Sequence, residues 1–75
     1  MTQGILTKME KFIELNVFLK INGLAGTGGR AKLIIRGGEV LVNGQVETRN
    51  KRKLKPGDIV TFNQKTYKVD EKMIK

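Results

Sequence analysis

The chain of 75 residues contains no cysteine and no histidine. Disulfides and Cys/His zinc clusters are thereby excluded, so aliphatic packing alone must hold the fold together. The same absences speak against an enzyme. With no His or Cys, the chain offers neither the commonest general base nor a thiolate nucleophile, and its seven acidic residues are scattered without a workable pair. A domain this small buries only about 60–65% of the surface its unfolded chain exposes, which leaves little volume for a sequestered pocket, so no cofactor is expected. Long apolar runs are missing as well: the first residues, MTQGILTKMEK, are too polar for a secretory or membrane-spanning segment, so no membrane association is expected. The lack of cysteine fits a reducing compartment, and a cytoplasmic location is expected. Aromatic residues are few. Phe12, Phe18 and Phe62 fall on apolar patterns that assign them to the core, leaving Tyr67 as the open question for stacking.

The scarcest commodity is negative charge. Fifteen Lys and Arg against seven Asp and Glu give a net charge of +8, which points to a polyanionic partner. The distribution sharpens this: residues 49–55 hold five positive side chains (Arg49, Lys51, Arg52, Lys53, Lys55) and no negative one, a mutual repulsion that phosphates would relieve.

No repeat, linker or low-complexity tract divides the chain, so it reads as one domain over 1–75 with a core of about 14–69 and loose ends at 1–4 and 70–75. Residues 5–13 alternate weakly (Ile5, Thr7, Met9) and suggest a short leading strand or a frayed arm. Asn16 is placed to cap a first helix, with Leu15, Phe18 and Leu19 at the i, i+3, i+4 spacing and Gly23 ending it. After a turn at Leu24-Ala25-Gly26, Thr27 caps a second helix to about Arg36; Ala31, Ile34 and Ile35 form its apolar face, and Gly37-Gly38 stop it. Val40–Val42 is a strand, and Asn43-Gly44 is the strongest two-residue hairpin signal, since a type I′ turn needs positive φ at both positions. The return strand covers about Gln45 to Glu47. Lys55-Pro56-Gly57-Asp58 reads as a type II turn. A second hairpin then joins Ile59–Phe62 to Thr66–Val69 through Asn63-Gln64-Lys65.

Three groups of residues carry the chemistry. At Thr27-Gly28-Gly29 the unpaired amides and positive dipole of a helix start favour an anion; alternatively Thr27 is a plain cap and the glycines give clearance against the first helix. Arg30, Lys32 and Arg36 give residues 27–38 three positive groups and no acid, whereas an ordinary solvated face mixes signs. The third group is the loop Arg49, Lys51, Arg52 and Lys53, where the two arginines can fork onto a phosphate or stack on a base. Leu33 points away from the apolar face of the second helix, toward RNA sugar, a neighbouring protein or the underside of the first hairpin.

The run from about Glu14 to Phe62 resembles the RNA-binding domain named after the fourth protein of the small ribosomal subunit, also called the αL motif. The matching features are L-N-x-x-L from Leu15, T-G-G-x-A-K-x-x-I from Thr27, G-x-V-x-V-N-G from Gly38 and L-K-P-G-D-x-V from Leu54. Gly28-Gly29 and the short N-terminal strand are most similar to the stand-alone bacterial members. The resemblance implies an α+β fold, two short helices packed on a small, mostly antiparallel sheet, that binds structured RNA through the second helix and the following hairpin. Relatives fused to RNA-modifying enzymes and synthetases carry the catalytic module separately. Many relatives begin the first helix with Arg-Leu-Asp; Glu14 stands in place of that Arg, which counts against a phosphate contact there, and Glu39 adds a negative charge near the hairpin. The function expected is therefore non-catalytic binding of structured RNA by a monomer, with ribosomal RNA or an assembling ribosomal particle as the implied partner. The alternatives are tRNA or non-specific nucleic-acid binding, and an adaptor whose basic patch meets an acidic protein.

Overall fold

The computed structural model describes residues 12–74, so the leading strand expected over 5–13 lies almost wholly outside the described residues. Strand β1, Ile13–Glu14, shares only Ile13 with that range and runs directly into helix α1, Leu15–Ile21. Leu15, Phe18 and Leu19, one face at helical spacing, are buried. Asn16, expected as the cap, sits inside the helix, and Glu14 at the cap position makes no side-chain bond. The orphan amides are satisfied from a distance: Leu15 N–H donates to the Arg52 carbonyl (2.8 Å) and Asn16 N–H to the Asn50 carbonyl (3.1 Å).

Helix α2 spans Gly28–Arg36, as the pattern predicts, with Thr27 Oγ1 accepting from Arg30 N–H at 3.1 Å. Ala31, Ile34 and Ile35 bury against α1 and the sheet, and Gly38, at φ +78°, takes the left-handed position that ends the helix. Strands β2 (Val40–Val42), β3 (Gln45–Val46), β5 (Ile59–Phe62) and β6 (Lys65–Lys68) form an antiparallel sheet in the order β3-β2-β5-β6. The expected type I′ turn is present: Asn43 has φ +53° and Gly44 φ +85°. Asn43 also ties this turn to the next element, accepting from Ile59 N–H (3.0 Å) and donating to Asp58 Oδ1 (3.2 Å).

The structure departs from the sequence reading in four further places. Strand β4 (Lys53–Leu54) pairs with β1 in a second, two-stranded sheet, Ile13 opposite Leu54, where the sequence shows only a basic loop. The β5–β6 connection is a two-residue turn, because Phe62 pairs with Lys65; Asn63 (φ +55°) and Gln64 (φ +67°) occupy its centre. Residues 70–74 are anchored rather than loose: Glu71–Met73 forms a 3-10 turn, Lys72 N–H is capped by Asp70 Oδ1 (2.9 Å), and Ile74 is buried in the core. Phe12, assigned to the core, is exposed and lies beneath the Lys53 ammonium, 4.8 Å from ring centroid to Nζ. The core itself joins both helices to Val40, Val42, Leu54, Val60 and Val69. An α+β fold of two helices with antiparallel strands results, in two small sheets instead of one.

Candidate nucleic-acid interface

Helix α2 presents its basic residues outward because its apolar face is taken up by the core. Arg30, Lys32 and Arg36 are exposed and have no acidic partner among the described residues. Leu33 stands among them, 68% exposed, with Arg30 and Arg36 three residues to either side. Packing of Leu33 under the first hairpin is therefore not what the fold uses. At the helix start, a Cβ on Gly28 would meet nothing within 4 Å, and one on Gly29 only Thr27 Oγ1 at 3.9 Å. The glycines are thus not needed for clearance against α1. Thr27 is a true cap, and its hydroxyl serves Arg30 N–H while the Gly28 and Gly29 amides find no acceptor among the described residues.

The loop is shaped by one acid. Val46 and Glu47 alternate in the extended chain, so Val46 faces out at 59% exposure while Glu47 turns in and is buried, its N–H donating to the Val40 carbonyl (2.9 Å). The Glu47 carboxylate collects the arginines: Arg49 Nε to Oε2 (2.9 Å), Arg49 Nη2 to Oε1 (3.1 Å), Arg49 N–H to Oε2 (3.0 Å), and Arg52 Nη1 to Oε1. Hydrogen bonds from the Arg49 side chain, opposed by burial and reinforced by the Arg49 amide and by Arg52, hold the Glu47 carboxyl at about 2, against an ordinary value of 4.5. The same pairing raises Arg49.

Around this hub Arg49, Lys51, Arg52 and Lys53 line a single shallow depression. Of the residues singled out in the sequence, the structure brings together these four; Thr27, Gly28, Gly29, Arg30, Lys32 and Arg36 form a second set, all on or capping α2. The loop is also fixed to α1 through the Asn50 and Arg52 carbonyls, so its side chains project from a backbone held at both ends. Sequence reasoning missed Glu47 as the organising residue. The available signal was the alternation that turns it inward, two residues before an arginine.

An S4 domain family model matches residues 6–70, and with this coverage the chain belongs to the S4 domain family. The stand-alone relatives bear this out at the level of single proteins. Over 50 residues the chain is 42% identical to the Escherichia coli (strain K12) protein named "Putative RNA-binding protein YbcJ", covering 67% of this chain and 71% of the relative. The Shigella flexneri protein named "Uncharacterized protein YbcJ" matches with the same identity and coverage.

Proposed function

We propose that this protein binds structured RNA without catalysing a reaction on it, using the outer face of helix α2 and the loop Arg49–Lys53. The observation that carries the reading is the depression lined by Arg49, Lys51, Arg52 and Lys53, four cations of which the two arginines are held by one buried acid. Membership of the S4 domain family and the name of the Escherichia coli relative support it. An A-form helix hides its base edges in a deep, narrow groove, so a surface of this kind reads the placement of phosphates and the shape of the RNA. Ribosomal RNA or an assembling ribosomal particle in the cytoplasm is the target we assign, bound by a monomer.

The test combines identification with a variant. Crosslinking the protein to RNA in its native cell and sequencing the attached fragments should return ribosomal sequences. Recovery of tRNA, of unrelated RNA or DNA, or of an acidic protein in place of nucleic acid overturns the assignment. The double variant Lys32→Glu/Lys51→Glu replaces one exposed cation in each set and should weaken binding to the recovered RNA by more than about tenfold, since each lost phosphate contact removes a counterion-release contribution. Circular dichroism should be unchanged, both side chains being exposed.

A further inference from the structure

We propose that Glu47, although negative, promotes RNA binding by positioning Arg49 and Arg52, so that removing its charge weakens the complex. A guanidinium has two edges that can each grip an oxyanion with a pair of N–H groups: Nε with Nη2, and Nη1 with Nη2. Glu47 occupies the first edge of Arg49 in a bidentate pair, 2.9 Å and 3.1 Å, and holds the Arg49 amide as well. The second edge remains, on a side chain 71% exposed to solvent. Arg52 spends Nη1 on the same carboxylate and is 32% exposed, so it too keeps donors for an incoming phosphate. An arginine held in this way has already lost the rotamer freedom that binding would otherwise take from it. The backbone beneath is pinned to α1 at Asn50 and Arg52, which leaves the guanidinium planes few alternatives. Long-range electrostatics alone gives the opposite expectation: Glu47→Gln raises the net charge by one from +8 and should tighten binding to any polyanion.

This inference rests on the RNA-binding reading above, and the experiment separates the two. RNA affinity is measured as a function of salt for the parent, Lys51→Ala, Glu47→Gln and Arg49→Lys, each below its melting temperature. Lys51 plays no part in the Glu47 pairing, so K51A tests the reading: if it binds as the parent does, the loop is not an RNA surface and both statements fall. Where K51A weakens binding, E47Q should weaken it about fivefold or more and make the slope of log K against log salt shallower by roughly 1–2, as one or two arginines leave their phosphates. Loss of a purely structural role would lower affinity only through the unfolded fraction and leave that slope unchanged. Unchanged or tighter binding by E47Q, or weaker binding at an unaltered slope, overturns the proposal. Should E47Q fail to fold, R49K decides: it keeps the charge at a largely exposed position but lacks the two forked edges, so binding should weaken severalfold with a shallower slope, and parental binding by R49K overturns the proposal.

Discussion

Glu47 shows how much one residue's surroundings change its meaning. In the sequence it is an unremarked acid at the end of a short strand; in the fold it is buried and takes bonds from two arginines that read, in sequence, as free phosphate ligands. Reversing those arginines to glutamate would therefore do more than remove ligands, because it would strip the buried Glu47 carboxylate of both partners and set like charges beside it. Acid titration reports the same pairing. Since the folded-state value of about 2 lies below the ordinary 4.5, Glu47 binds its proton less readily when folded, so its contribution to stability is complete above about pH 4.5 and is lost as the pH falls toward 2. The contribution is of the order of 1–2 kcal/mol once the exposure of Arg49 is allowed for. The parent should accordingly lose roughly 5–10 °C more in Tm than Glu47→Gln between about pH 6 and pH 2.5. Parallel Tm curves for the two proteins would show that the carboxylate stabilises nothing.

The elements are short and lean on one another. Helix α1 has seven residues, marginal by itself, and its first amides are capped by carbonyls of a loop about thirty-five positions away in sequence. The loop and the helix are thus one unit, and Glu14 at the cap position has no capping to do. The β5–β6 turn is the opposite case, a purely local device with an unfavourable residue in it. Gln64 at φ +67° carries the steric cost of a left-handed side chain, about 1–2 kcal/mol. Gln64→Gly removes that cost at the expense of some unfolded-state entropy, with a net gain of about 0.5–1 kcal/mol, or roughly 2–6 °C in Tm. Differential scanning calorimetry measures this directly; a Tm equal to or below the parent's would mean that the turn is not strained. Because the turn lies outside both cation sets, RNA affinity should stay as it was.

At the scale of the whole molecule the dominant quantity is a net charge of +8 on 75 residues. Arg30, Lys32 and Arg36 project from α2 while the loop cations gather at their depression. With four to six of these cations meeting phosphates, log K for RNA should fall against log salt with a slope of about −3 to −5. Filter binding or anisotropy across a salt series measures the slope, and a value near zero would refute an electrostatic surface altogether. Folding costs some self-repulsion at this charge, so moderate salt should raise Tm even as it weakens RNA binding.

Sequence alone determined whatever depends on near neighbours. The i, i+3, i+4 spacing of Ala31, Ile34 and Ile35, the Thr27 cap and the Asn43-Gly44 turn are each set by steric and hydrogen-bonding rules acting over a few residues, and each stands in the structure as read. The candidate site was half legible for the same reason: the outward face of α2 follows from its apolar face. Tertiary structure decided what depends on residues far apart. The pairing of β1 with β4, the capping of α1 by Asn50 and Arg52, and the return of Ile74 to the core all join segments that carry no mark of one another. Phe12 was misplaced because its neighbour across the fold is Lys53, a cation over its ring, and not an apolar wall. Glu47 belongs to this second group too. Its charge is written in the sequence, but its role follows from burial, which left the carboxylate little solvent and made the bonds from two guanidinium groups its replacement.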